Sequence, residues 1–425
     1  MLWKDLKNKI LSYSLEQKLF ILCAMVCGFC IMADYGIVRP ISHSVFLSTY
    51  GSDVFPYVWI AVVPFNFLII ELYNRFLPRL GIYKMFYTIL GIILVVNGFA
   101  AFFMTQIPSF PFLFYIWKEV YVMLLFQQLW SMIHSTIKMQ EAKYLYGLFF
   151  AFGGLGATCG NKFIDQFAVK AGSQNLLFAS LPLMLVLGLS FYNVLKYSLV
   201  EEKTSKEVKV NNFLEGCKLI ANSKYLGFIL SIVVLMQVVT TLIYYQFNLS
   251  LEQSVLSLDA RTEHCGYVFG IANSLSLILQ IIGSFLLVQF LGIRKSHLSM
   301  PLLLCLNMAG SIVFPSFGMV TAAFIVIKAL DFSIFGVLKE MLYVPLRQEE
   351  KFQAKAIIDV FAYRSAKALA SCLILFLQMV GFSDMVSTLS WLAFILLLVW
   401  IFLVARMFPS EKTTTALQPH IPVEK

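Results

Sequence analysis

Runs of about twenty apolar residues recur along this chain from one end to the other, and they fix the solvent it folds in. A bilayer's hydrocarbon core is about 30 Å thick. A helix crosses it in roughly twenty residues and satisfies its own backbone polar groups on the way. Twelve such stretches can be read, at 19–39, 54–74, 85–106, 110–134, 145–167, 176–199, 225–248, 265–291, 297–315, 317–344, 355–381 and 385–407. Composition agrees, because the chain is 60% hydrophobic and only 13% charged, where soluble domains are about 45–50% apolar and 25% charged. The reading is an all-α membrane protein of about 12 transmembrane helices.

The basic residues set the topology. With the stretches alternating in direction, Lys4, Lys18, Arg75, Lys84, Lys138, Lys196, Lys218, Arg294, Lys351 and Arg406 fall on one side of the membrane, with many more. The other side receives only Lys170 and Arg261. Excess Lys and Arg mark the cytoplasmic face, so both termini are expected there. The same bias accounts for the formal net charge of +9 without invoking nucleic acid. No cleavable signal peptide or Arg/Ser-rich transit peptide is legible, and the expected location is a bacterial inner membrane.

The longest polar connector, 200–224, divides the stretches six and six. The expected organisation is a cytoplasmic N-terminus at 1–18, a six-helix half at 19–199, the connector at 200–224, a second half at 225–408 and a tail at 409–425. The halves echo each other: "KMQEAKYLYG" (138–147) follows stretch four and "RQEEKFQAKA" (347–356) follows stretch ten. Two six-helix halves around a cytoplasmic middle loop are the major-facilitator layout, and such duplication serves alternating access. A channel or receptor has no need of it.

A charge at mid-bilayer costs about 2.5–3.5 kcal/mol on insertion scales, so it marks a functional site by default. Asp34, Arg39, Lys118, Glu119, Lys162, Asp165, Lys328, Asp331, Lys339, Glu340, Asp359, Arg364 and Lys367 all lie within the stretches. Lys162/Asp165 and Lys328/Asp331 are spaced to neutralise each other on one helix face. Lys118 and Glu119 are neighbours that diverge by about 100° on a helix, so they are expected to need other partners or a ligand. Arg39, Arg364 and Lys367 have few acids nearby in sequence. They are the expected unpaired cationic lining, suited to phosphate or carboxylate, with Lys118 and Lys328 adding charge, one in each half.

Other signals are bland. Gly156 and Gly160 in "FGGLGATCG" (152–160) have the spacing of close helix packing, not of a dinucleotide loop. There is no GxxxxGK[ST] motif. Cys23, Cys27 and Cys30 read as small packing residues, and the histidines lack metal-ligand spacing. No metal, cofactor or enzymatic constellation is expected.

The segment "DFSIFGVLKEMLYVPLRQEEKFQAKAIIDVFAYRSAK" (331–367) closely resembles the signature of the ATP/ADP translocase (TLC) family of plastids and obligate intracellular bacteria. Lys339, Glu340, Met341, Tyr343, Pro345, Glu349, Lys351, Lys355, Asp359, Arg364 and Lys367 carry the match. "EVYVMLLFQQLW…EAKYLYGLFFAFGG" (119–154) and "YGIVRPISHSVFLSTYGSDVFPYVWIAVVP" (35–64) resemble further family regions. The resemblance implies twelve spans, an exchange mechanism and a nucleotide substrate. Glu119 and Lys367 fall on charged positions the family uses around its substrate. Two departures stand out: Ser42 and His43 replace a Lys-Asp pair, and "TTLIYYQFN" (240–248) lacks the usual acid and base near Thr241.

The expected function is therefore nucleotide transport, with ATP/ADP exchange by alternating access first. A proton-coupled importer of another nucleotide or anionic metabolite, with Glu119 or Asp34 carrying the proton, stays open. So does a non-transporting membrane protein on a carrier fold. The expected substrate-binding residues are Arg39, Lys118, Glu119, Lys328, Arg364 and Lys367. Glu141, Lys143, Lys339, Glu340, Glu349, Lys351 and Asp359 are expected to form a gate at the cytoplasmic corner. Tyr35, Trp117 and Trp130 could stack a base, though packing between helices is the commoner use of each. The sequence leaves the oligomeric state open.

Overall fold

The computed structural model describes residues 13–137, 139–198, 213–280, 284–344, 346, 354–382 and 384–407. Among them the chain is helical, with no strand. Its helices are α1 (Leu15–Tyr50), α2 (Phe55–Phe103), α3 (Phe110–Thr136), α4 (Met139–Ala171), α5 (Ser180–Lys196), α6 (Phe213–Asn222) and α7 (Lys224–Ser254). They continue as α8 (Leu258–Ile278), α9 (Ser284–Val313), α10 (Phe317–Leu330), α11 (Gly336–Leu342), α12 (Tyr363–Val380) and α13 (Met385–Met407). The expected all-α membrane protein is what the sequence folds into.

Local chemistry explains the boundaries. Ser14 caps α1 in a reciprocal box, its hydroxyl accepting from the Gln17 N–H at 3.2 Å while the Gln17 side chain accepts from the Ser14 N–H at 3.1 Å. Gly51, at φ 80°, ends the helix in a conformation few side chains tolerate. α2 begins with Pro in its first turn, where its missing N–H costs nothing. Two glycines break helices in the same way: Gly81 in α2 (φ 71°, ψ 166°) and Gly292 in α9 (φ 71°, ψ 169°). Each sits in a near-identical pentapeptide, "LGIYK" (80–84) and "LGIRK" (291–295), spaced about 210 residues apart.

Eight helical segments among the described residues are long and apolar enough to cross a membrane: Leu15–Tyr50, Ser52–Phe103, Asn175–Lys196, Lys224–Ser254, Arg294–Val313, Phe317–Leu342, Ile357–Val380 and Met385–Met407. The second of these contains the Gly81 break. α3, α4 and α8 fall outside that set although they are 27, 33 and 21 residues long. They are the helices that carry Lys118 and Glu119, Lys162 and Asp165, and Asp259, Arg261 and Glu263.

The contacts divide the chain into two compact units. One holds Met1–Lys209 with Phe247–Ile278; the other holds Val210–Gln246 with Leu279–Lys425. In the first unit α1 packs along α4 and also meets α3, α5 and α8, while α8 packs along α4. Small residues make this possible. A methyl group at Gly156 or Gly160 would collide with the carbonyls of Phe29 and Ala33, and one at Gly266 with the backbone of Asn161 and Asp165. The 156/160 spacing thus serves helix packing. Lys162 and Asp165 form the expected pair at 2.5 Å on α4.

In the second unit α9 packs on α13. Gln246 donates to the Val386 carbonyl at 2.6 Å and to Ser390, and Gln378 donates to the Tyr245 hydroxyl at 2.6 Å. Two π-helical turns interrupt this unit, Asp331–Phe335 between α10 and α11 and Ala356–Ala362 ahead of α12. Such turns concentrate at functional positions, and both fall in the segment that carries the family resemblance.

Candidate functional site

In the first unit, Arg39 sits on α1 just before Pro40 and is 8% exposed; Lys118 on α3 is 1% exposed. Lys118 and Glu119 do pair, with Nζ to Oε1 at 2.5 Å. This corrects the expectation that adjacent residues could not meet. Their Cα–Cβ bonds diverge, but the four-carbon lysine stem folds back over the turn, and burial makes the alternative an unneutralised ammonium. Tyr35 donates to the same carboxylate oxygen at 3.4 Å. The Lys118 ammonium lies 3.9 Å from the Tyr115 ring centroid. The Arg39 guanidinium lies 3.9 Å from the Phe269 ring and 5.6 Å from the Tyr35 ring. It is also within electrostatic reach of Lys118. Two basic side chains and one carboxylate meet here, walled by aromatic faces.

Beside it lies a neutral-donor network around Asp34, which is fully buried. Tyr121 donates to one carboxylate oxygen at 2.6 Å and Ser180 donates to the other. Asn97 donates to Ser180 at 2.9 Å, and the Trp117 ring nitrogen donates to Asn97 at 3.4 Å. No salt bridge to Asp34 forms among the described residues. The family departures have a structural role here. Ser42 donates to the Arg39 carbonyl at 3.1 Å, and His43 lies among the rings of Phe55, Tyr115 and Phe269.

In the second unit, Lys328 on α10 lies 5.4 Å from the rings of both Tyr244 and Phe332. Asp331 follows one turn later, buried, within reach of the Lys328 charge. Arg364 and Lys367 are half-buried one turn apart on α12. The corner between α11 and α12 is stapled by paired charges: Lys339 to Asp359 at 3.1 Å and Lys355 to Glu340 at 2.6 Å. Tyr343 donates to Asp359 at 3.0 Å. The remaining corner residues cannot join this description. The side chains of Glu141 and Lys143, and Glu349 and Lys351 entirely, lie outside the described residues.

The structure adds residues that charge-spotting did not find. Phe269 and Tyr115 wall the cations but read as ordinary apolar positions in a chain with 40 Phe and 19 Tyr. Trp130 packs with His134, Tyr146 and Phe150, the commoner of its two expected uses.

Known proteins match this picture. Residues 277–409 match the model of the TLC ATP/ADP transporter family. ADP,ATP carrier protein 3 of Rickettsia bellii is 23% identical, covering 92% of this chain and 94% of that one. ADP,ATP carrier protein 4 of Rickettsia typhi is 23% identical over 86% of this chain and 84% of its own length. ADP,ATP carrier protein 1 of Rickettsia prowazekii is 21% identical over 92% of each chain. Among solved structures, the nucleoside transporter NupG shares the fold at a TM-score of 0.63, with 12% identity over 92% of this chain and 100% of that one. A bacterial homologue of the iron transporter ferroportin does so at 0.64, with 12% identity over 93% and 99%. The chain is a multi-pass membrane protein that shares the helical fold of these structures, and it is similar to the TLC ATP/ADP transporter family over residues 277–409 and to the Rickettsia carriers along most of its length.

Proposed function

We propose that this chain is a secondary carrier, not an enzyme, that exchanges ATP for ADP by alternating access. The observation that carries the reading is the Arg39–Lys118–Glu119 cluster, which brings two buried basic side chains together in a chain whose relatives are named ADP,ATP carriers. Arg39 supplies a planar fork for phosphate oxygens and Lys118 a point charge. Glu119 holds Lys118 in place and tempers the field, so that a polyanion binds and still leaves. In the second half Lys328 takes the position equivalent to Lys118, about 210 residues later, and Arg364 and Lys367 add positive charge one turn apart. Lys339, Glu340 and Asp359 act at the cytoplasmic corner. Twelve spans in two six-helix halves, joined through 200–224, place both termini in the cytoplasm of a bacterial inner membrane.

The test is efflux of labelled ADP from proteoliposomes. External ATP or ADP triggers release, whereas adenosine and inorganic phosphate do not. Release triggered equally by adenosine would remove the phosphate-binding assignment.

Asp34 favours a second reading, proton-coupled uptake of an anionic metabolite. Its carboxyl is buried among neutral donors, where a proton can reside without a cationic partner. Uptake driven by an imposed pH gradient into vesicles without internal nucleotide would select this reading over exchange.

A further inference from the structure

The hairpin between α7 and α8 carries two carboxylates, and each is seated in the same way. Glu252 Oε2 accepts the backbone N–H of Ser52 at 2.9 Å and also the Ser52 hydroxyl. Asp259 Oδ1 accepts the backbone N–H of Ser173 at 2.7 Å and the Ser173 hydroxyl at 2.5 Å. Both serines follow a glycine in the left-handed region, Gly51 at φ 80° and Gly172 at φ 82°. The two Gly-Ser turns end α1 and α4, at the end of the bundle opposite the chain's N-terminus.

Glycine is required twice over at the first turn. Its φ is strained for other residues, and a Cβ there would point at the Glu252 carboxylate from 3.1 Å. Arg261 holds the hairpin's own shape, donating to the Val255 carbonyl at 2.6 Å and the Glu252 carbonyl at 3.0 Å. It also reaches Ser48 of α1 at 3.1 Å. The attachment is thus made of hydrogen bonds, most of them to a charged group, between half-buried carboxylates and buried serines. Such bonds exchange with water at modest net cost, unlike an apolar seam.

We infer that this hairpin is a releasable latch. Glu252 and Asp259 hold the end of α8 against the twin Gly-Ser turns and close that end of the first unit, and the latch must let go when the carrier opens on that face. The inference rests on the carrier reading. It gives α8 two duties, because the helix whose first turn is latched also carries Phe269 over Arg39 two to three turns further on.

Cys265, fully buried one turn beyond Arg261, is a built-in reporter. The experiment uses the full chain in cells with Cys265 as its sole cysteine. A membrane-impermeant methanethiosulfonate is applied on the face opposite the termini. Labelling is slow in the parent and rises about tenfold or more in Glu252→Gln/Asp259→Asn, the scale of a lost charge-assisted bond. Ser52→Ala/Ser173→Ala, which leaves the hairpin untouched, shifts the rate in the same direction. In a second arm, Ser173→Cys/Asp259→Cys is bridged by a bifunctional methanethiosulfonate. Bridging halts nucleotide exchange and a reductant restores it. Unchanged labelling in both double variants, or full exchange in the bridged protein, would overturn the latch. The labelling arm needs no substrate, so it decides the latch even if nucleotide exchange itself fails.

Discussion

Lys118 and Glu119 show what burial does to a pair that helix geometry keeps apart. A solvated lysine would point away from its neighbour; at 1% exposure it turns onto the adjacent carboxylate at 2.5 Å. Arg39 is held differently, by the face of Phe269. Stacking occupies the face of the guanidinium, and its N–H fork lies in the plane. Substituting Arg39→Lys keeps the charge and loses the fork, and should lower kcat/KM for nucleotide by about tenfold. Arg39→Ala should lower it by about a hundredfold, on the scale of one or two charge-assisted hydrogen bonds. Steady-state exchange by monodisperse variants measures this; unchanged kinetics for both would remove Arg39 from the site. The charges were legible in the sequence because a charge within an apolar run is rare and costly. Their partners were not, since an aromatic wall around a cation is written in the same letters as a lipid-facing surface.

At the scale of helices, two chemistries hold the fold. Small residues bring backbones into contact: Gly160 approaches Ala33 and Gly36 closely enough that no side chain fits. Gly160→Val should therefore abolish monodisperse protein on size exclusion, whereas Gly147→Val, at an open position of the same helix, should not. Charge pairs staple the second unit at its corner. Lys339→Asp and Asp359→Lys should each lower the Tm in detergent by placing like charges together, and the double swap should recover part of the loss. A swap no better than the single variants would mean that the pair does not hold α11 to α12.

Helix existence was legible from apolar length, and the breaks at Gly81 and Gly292 fall at the expected turns near 75–85 and 292–297. The start of α8 was not. The sequence reading began this stretch at 265, because Asp259, Arg261 and Glu263 look like loop residues, whereas the helix starts at Leu258. The contacts of Asp259 with Ser173 and of Arg261 with Ser48 make that start stable. The π-helical turns were also invisible, since nothing in residue type distinguishes a five-residue turn from a four-residue one.

Across the whole molecule, duplication is the organising fact. The two breaking pentapeptides and Lys118 with Lys328 recur at nearly the same spacing of about 210 residues, as do the two charged corner loops. Each half thus brings one lysine beside an aromatic ring and near a carboxylate, Lys118 fully buried and Lys328 half-buried. The departure at Ser42 and His43 falls where the first unit buries neutral groups instead, with His43 among aromatic rings and Ser42 on the Arg39 carbonyl. Replacing that pair removes one charge of each sign and leaves the net charge there unchanged. That is the reason to expect nucleotide exchange to survive at such low identity to the Rickettsia carriers.

The most direct test of this account is uptake of labelled ATP by proteoliposomes holding the purified protein, with internal ADP or with none. The account predicts rapid uptake that requires internal ADP and is lost in Arg39→Ala. Equal uptake into empty vesicles, or none under either condition, would contradict it.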